Sequence, residues 1–116
     1  YIFIENQILV SISPKDFSFI AEDNLSFIFA KLAEAKIKVN LIQNSALSFS
    51  VCFENSTNKV EHLFSLLKGT FDVRYNDEAT LLTIRHYNEE VLTKMTANKT
   101  ILLEQKSRNS ARFVLR

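Results

Sequence analysis

Amide and hydroxyl side chains are concentrated in one stretch of the sequence, residues 38–50 (KVNLIQNSALSFS). Within it, Asn40, Asn44 and Ser45 stand between two strongly apolar segments. Asn and Gln side chains offer both hydrogen-bond donors and acceptors, which suits the charged head group of a free amino acid. Turn formation through side-chain-to-backbone hydrogen bonds explains the same composition equally well, so both interpretations stay open at this point.

The other side chains capable of chemistry are isolated from one another in the sequence. His62 and His86 share no metal-ligand spacing with each other or with Cys52. We expect His62 to face solvent and Cys52 to be a small buried side chain within an apolar strand. The sequence therefore predicts no metal site and no self-contained catalytic apparatus.

Composition narrows the possible classes of protein further. The chain has 116 residues, a formal net charge of +1, one glycine, one proline and one cysteine. A single glycine argues against the glycine-rich loops that bind phosphate, and the near-zero charge argues against bulk attraction to nucleic acid or anionic lipid. No apolar run approaches the roughly 20 residues of a membrane-spanning helix, and one cysteine fits a reducing cytoplasm. Because the chain opens at Tyr1 rather than methionine, we expect it to derive from a longer protein.

Hydrophobic periodicity predicts secondary structure over most of the chain. Residues 8–12 alternate as a strand ended by Pro14, whereas Leu25, Ile28, Phe29 and Leu32 recur at helical spacing. We expect the first helix to be capped by Asp23 or Asn24, and the second by Asn58 in a capping box with Glu61. Further strands are expected at 37–41, 47–53 and 71–75, with a turn at 76–78. The second helix is expected to end at Gly69, and its apolar stripe consists of Val60, Leu63, Phe64 and Leu67.

These elements give the order βαββαβ, the ferredoxin-like arrangement of an antiparallel sheet with helices on one face. The remaining sequence repeats only the first part of that order, with strands at 81–86, 100–105 and 111–115 and a helix capped by Asn88. An incomplete sheet leaves an exposed edge, which a separate strand at residues 1–4 is free to cover. We therefore predict an α+β protein with a first domain at 5–78 and a second, discontinuous domain formed by 79–116 and 1–4.

The ferredoxin-like order also occurs in RNA-recognition domains, but the sequence argues against that function. Phe49, Val51 and Phe53 lie near the strand whose aromatic rings stack on bases in those domains. The alternation places Ser48 and Ser50 where the stacking rings should stand, and the basic and glycine positions of the motif are missing. We therefore expect no nucleic-acid binding.

Two segments together carry a resemblance to a known family. The hairpin stretch 38–50, preceded by FIAEDNL at 19–25, resembles the C-terminal regulatory region of aspartokinases, which consists of tandem ACT domains. The similarity continues through residues 82–85 and 100–104. In this family one ACT domain is inserted into the other in sequence, which would account for the truncated second repeat and the separate first strand.

The resemblance implies an effector site made by the loop entering the first helix and by the hairpin. The matching residues of this chain are Ser18, Ala21, Asn24, Leu25, Asn40, Asn44, Ser45, Ala46 and Leu47. The chain departs from lysine-sensitive members, which often carry carboxylates in the hairpin where it has Asn40 and Ala46. Lysine is the commonest effector of the family, and threonine is the alternative.

The function implied is that of an allosteric regulatory module of aspartate kinase, controlling biosynthesis of aspartate-family amino acids by feedback. Expected partners are the amino-acid effector, a second copy of the chain in a homodimer, and an N-terminal kinase domain of the same parent chain. The kinase motif is absent, so ATP and Mg are expected only in that domain and no cofactor is expected here. The alternative is an ACT module that serves dimerisation without binding an effector.

Overall fold

The computed structural model of this chain describes residues 1–16 and 18–116. Its strands and helices are β1 Ile2–Pro14, α1 Glu22–Glu34, β2 Val39–Asn44, β3 Phe49–Glu54, α2 Thr57–Leu67, β4 Phe71–Arg85, α3 Glu89–Thr96, β5 Ile101–Lys106 and β6 Ser110–Leu115. The chain divides into two compact units. One is Ile8–Asp77, and the other combines Tyr1–Gln7 with Glu78–Arg116.

The unit Ile8–Asp77 places two helices on one face of a sheet. Its strands follow the order β2-β3-β1-β4, and β2 and β3 pair antiparallel. Alternate residues of β1, Ile8, Val10 and Ile12, are buried in one cluster with Ile28 of α1 and Leu63 of α2. Because a strand points every second side chain to the same face, both helices pack on that single face. The predicted βαββαβ order and helix placement are confirmed.

The second unit repeats this plan with one helix among its described residues. Its strand order is β1-β4-β6-β5, and β6 pairs antiparallel with both β4 and β5. Leu82 and Ile84 of β4, Leu92 of α3 and Phe113 of β6 form its buried cluster. The predicted α+β class, with a second unit that is incomplete in sequence, is therefore confirmed.

Two predicted strand breaks do not occur. Residues 5–7 were expected to separate two strands, yet β1 is continuous, and Asn76–Glu78 was expected to be a turn, yet β4 is continuous. Each strand instead contains one left-handed residue, Asn6 with φ 56° and Glu78 with φ 54°. A single residue of this conformation can bend a strand without ending it. The polar residues thus mark positions where β1 and β4 pass from one compact unit into the other.

The predicted start of α1 lies two to three residues too late. The cap is Ala21, and the helix begins at Glu22, before both Asp23 and Asn24. The Asn24 side chain still acts at this end, because its Oδ1 accepts a hydrogen bond from the Ala21 backbone N–H at 2.9 Å. Acidic side chains at the first turn are favourable beside the positive end of the helix dipole, so the sequence tolerates a cap without a polar side chain.

The N-cap of α2 was predicted wrongly, whereas the N-cap of α3 was predicted correctly. α2 is capped by Ser56 rather than Asn58, so the expected capping box with Glu61 does not form. α3 is capped as predicted, with Asn88 Oδ1 accepting a hydrogen bond from the Val91 N–H at 2.8 Å. The apolar stripe of α2 was predicted correctly even though its cap was not.

Candidate functional site

The β1–α1 loop and the β2–β3 turn, both singled out in the sequence, meet through a backbone hydrogen bond. The Ile20 N–H donates to the Ala46 carbonyl oxygen at 2.8 Å. This contact lies within the unit Ile8–Asp77 and joins residues 26 positions apart. It places the loop that carries Ser18 and Ala21 beside the turn that carries Ser45 and Ala46.

The Ser45 side chain closes the β2–β3 turn. Its Oγ accepts a hydrogen bond from the Ser48 N–H at 3.1 Å and lies 3.1 Å from the Ser48 carbonyl oxygen, to which it can donate. The Ser45 N–H donates to the same carbonyl at 2.9 Å. The turn interpretation of this serine therefore has a structural basis. Leu47, expected at the start of a strand, lies in the turn and is 61% exposed.

The carboxylate of Asp16 makes a local hydrogen bond in the β1–α1 loop. Asp16 Oδ1 accepts a hydrogen bond from the Ser18 N–H at 3.0 Å. Hydrogen bonds from Ser18 favour the charged carboxylate and lower the pKa of Asp16 below its usual value. Leu25, assigned to the same site from the sequence, is half-buried and packs against the core cluster of this unit. Its contact with the core gives it a structural role in addition to any role at the site.

The two-residue period that would place Asn40 and Asn44 on one face of β2 is interrupted. The pairing of β2 with β3 shifts between Val39 and Leu41, so Asn40 is the extra residue of a bulge. Asn44 pairs with Phe49 at the far end of the strand. Because the bulge interrupts the two-residue period, spacing alone no longer places both amides on one face of the sheet.

A cleft of about 380 Å³ lies within this unit, next to the loop and the turn. We call it the site cleft. Two of the residues assigned from the sequence, Ser18 and Leu47, line it, whereas Asn40 and Asn44 do not. The other lining residues come from β1, β4 and the turn: Ser11, Ser13, Pro14, Ser48, Asp72 and Arg74.

The charged residues of the site cleft, Asp72 and Arg74, were not predicted from the sequence. Asp72 and Arg74 alternate with Phe71 and Val73, which belong to the core side of β4. Period-two patterning could have placed both charges on the opposite face of the sheet. It could not have shown that this face forms a cleft, because the walls come from residues distant in the sequence.

Of two other cavities, one includes residues of the predicted site and one does not. A smaller one of about 230 Å³ includes Ser18 and Asn24. A larger one of about 450 Å³ lies within the other unit and contains none of the residues assigned from the sequence. Its lining combines Phe3, Met95 and Leu115 with charged side chains of both signs.

The exposure of His62 and the burial of Cys52 agree with the prediction from the sequence. His62 and His86 are exposed, and Cys52 is a buried cysteine within β3. Among the residues that the structure describes, no three potential metal ligands come together. None of the described helices combines the length and the apolar character that crossing a membrane requires.

Comparison with protein-family models and with curated protein sequences finds no match for this chain. Solved structures do match it. Aspartokinase III of E. coli, in complex with lysine and aspartate, superimposes with a TM-score of 0.74 and 16% identity over 97% of this chain. The Clostridium acetobutylicum aspartate kinase gives a TM-score of 0.79 and 11% identity over 98% of this chain.

The share of each matched protein that this chain covers is small for the whole enzymes and large for the regulatory subunit. The chain spans 28% of the E. coli enzyme and 30% of the Clostridium enzyme. It spans 85% of the regulatory subunit of aspartate kinase from Thermus flavus, with a TM-score of 0.71 and 14% identity over 98% of this chain. The chain therefore has the fold of aspartokinase regulatory domains over nearly its whole length.

Proposed function

We propose that this chain is an allosteric regulatory module of an aspartate kinase and binds an end-product amino acid, with lysine as the first candidate and threonine as the second. The observation that carries the proposal is the Ile20–Ala46 hydrogen bond, in a chain with the fold of aspartokinase regulatory domains. It joins the two segments from which that family builds its effector site. A ligand seated beside this junction would touch both segments at once.

Regulation would work through the arrangement of the ACT domains. A ligand shifts a conformational equilibrium only by as much as it prefers one state over the other. We propose that the amino acid favours one arrangement of the ACT domains of a homodimer, which an attached kinase domain then detects. The chain itself would be non-catalytic and cytoplasmic, and ATP and Mg would bind only to the kinase domain.

A thermal-shift titration with lysine, threonine and methionine tests the proposal on the 116-residue chain. A ligand that binds only the folded state adds about 2.7 kcal/mol of stability at a concentration one hundred times its dissociation constant. We expect a saturable rise in melting temperature with lysine or threonine. Unchanged melting with all three amino acids would contradict effector binding.

Variants of the hairpin test which residues form the site. Asn40→Ala and Asn44→Ala should each weaken binding by about ten- to a hundredfold, because one unsatisfied buried partner costs roughly 1–3 kcal/mol. Asn58→Ala is the matched control, since Asn58 is exposed on α2 and is not among the residues assigned to the site. If Asn40→Ala lowers the melting temperature of the free protein but leaves ligand affinity unchanged, this amide has a structural role only.

Exposed apolar side chains beside the same junction favour a second candidate function, dimerisation without an effector. Phe19 is 70% exposed and Leu47 is 61% exposed. β2 stands at the end of the strand order, and an edge strand offers unpaired backbone groups to a second copy. Sedimentation analysis should give a dimer mass for the parent chain and a smaller mass for Leu47→Ser. A monomer mass at every concentration would argue against both the dimer and this candidate.

A further inference from the structure

Four polar side chains lie together on one face of the sheet in the unit Ile8–Asp77. Ser11 and Ser13 alternate along β1 with residues of the core cluster, and Asp72 and Arg74 do the same along β4. β1 and β4 are neighbours in the strand order. Because residues two apart point to the same face of a strand, all four side chains lie opposite α1 and α2, where they line the site cleft.

These side chains have no hydrogen-bond or ion-pair partner within the described part of the chain. The two serines are half-buried, and Asp72 and Arg74 are exposed to the cleft. Asp72 and Arg74 are two positions apart along β4, which places their Cα atoms about 6.6 Å from each other. Because no ion pair joins Asp72 and Arg74 within the described part of the chain, both charges remain available to one small ligand.

We infer that Arg74 and Asp72 bind the two charged groups of a zwitterionic α-amino acid in the site cleft, with Arg74 on the carboxylate and Asp72 on the ammonium group. This inference rests on the proposed function and adds residues that the resemblance did not supply. A guanidinium presents two parallel N–H donors that match both oxygens of a carboxylate. A carboxylate accepts hydrogen bonds from an ammonium group.

The charge balance of the cleft selects the class of ligand. One positive and one negative side chain complement the carboxylate and the α-ammonium group that every free amino acid carries, lysine and threonine alike. The hydroxyls of Ser11 and Ser13 can donate to the carboxylate or accept from the ammonium group. Leu47 at the turn supplies an apolar contact for the side chain of the ligand.

The structure of the turn strengthens this assignment. The hydroxyl of Ser45, one of the site residues that the resemblance implies, is already engaged with Ser48. Ser48 lines the same cleft as Arg74. The nearby cation, rather than the engaged hydroxyl, is therefore the group with unused capacity to receive a carboxylate.

Titration calorimetry on the whole chain tests the inference with lysine, threonine and methionine as probes. Arg74→Gln and Asp72→Asn should each weaken the tightest of the three by about tenfold or more, as expected for loss of a charge-assisted hydrogen bond. Arg108→Gln and Glu61→Gln, which remove the same charges from exposed positions outside the cleft, should leave affinity unchanged.

Modified ligands identify which charge each residue contacts. The methyl ester of the amino acid lacks the carboxylate charge, so Arg74→Gln should weaken its binding no further. The N-acetyl derivative lacks the ammonium charge, so Asp72→Asn should weaken its binding no further. Melting temperatures of all variants, measured without ligand, establish that the exposed substitutions leave the fold intact.

The outcomes separate this inference from the proposed function. If the parent chain binds an amino acid and neither cleft variant weakens it, the inference is overturned while the regulatory function stands. If Asn40→Ala alone weakens binding, the ligand lies at the hairpin and not on Asp72 and Arg74. If the parent chain binds none of the three amino acids, both the proposed function and the inference are contradicted.

Discussion

Lys36 occupies a backbone conformation that normally belongs to glycine. It follows the C-cap Ala35 of α1 and has a φ of 58°. Its N–H donates to the Ala33 carbonyl and the Ile37 N–H donates to the Leu32 carbonyl, both at 3.0 Å. This is the Schellman pattern that ends helices, in which the left-handed position favours glycine.

The substitution Lys36→Gly should therefore stabilise the protein. Holding a residue with a Cβ in the left-handed region costs about 1–2 kcal/mol, and glycine removes that cost. Glycine also lowers the free energy of unfolding by about 0.5–1 kcal/mol, because it gives the unfolded chain more conformational freedom. The difference between the two ranges is about 0–1.5 kcal/mol, and its midpoint of about 0.75 kcal/mol corresponds to a rise of roughly 3–6 °C in melting temperature for a domain of this size.

Two controls isolate the backbone effect in thermal and urea unfolding. Lys36→Ala removes the same charge but keeps a Cβ, so it should not reproduce the gain. Lys38→Gly places glycine at an exposed position without positive φ and should destabilise the protein. Equal stability of Lys36→Gly and Lys36→Ala would refute the reasoning, because relief of the left-handed conformation would then contribute nothing.

Three further predictions concern the remaining local interactions. Asn88→Ala should destabilise the protein by about 1 kcal/mol in urea unfolding, because it removes the side-chain cap of α3, whereas Asn58→Ala should have little effect. The pKa of Asp16 is lowered in the folded state, so its charged carboxylate adds to the free energy of unfolding at pH values above the usual aspartate range. This stabilisation is lost as the pH falls through the lowered pKa. Stability should therefore fall less steeply with acid pH in Asp16→Asn than in the parent chain. Deletion of residues 1–4 should lower the melting temperature of the unit that contains β6, and an unchanged value would show that this strand adds nothing to that unit.

The sequence predicted the elements that bury an apolar stripe. The stripes Ile8, Val10 and Ile12 of β1 and Val60, Leu63 and Leu67 of α2 became the core of their unit. Such patterns are reliable because the period of each element decides which side chains are buried together. The Asn88 cap was also readable, since its partner Val91 is only three residues away.

Strand bends, the bulge and the cleft could not be predicted from the sequence, because they depend on single residues or on residues distant in the chain. The polar residues around Asn6 and Glu78 resembled turns, although each lies inside a long strand. The bulge at Asn40 is set by the pairing with β3 and has no signature of its own. The cleft at Asp72 was not predicted, because the β1 residues that share it are about sixty positions away in the sequence.

The most direct test of the regulatory function is calorimetric titration of lysine and threonine into the chain at neutral pH. The proposal predicts saturable binding of at least one of them. Absence of binding heat with both amino acids, together with no ligand-induced change in melting temperature, would contradict the proposal that this fold detects an end-product amino acid.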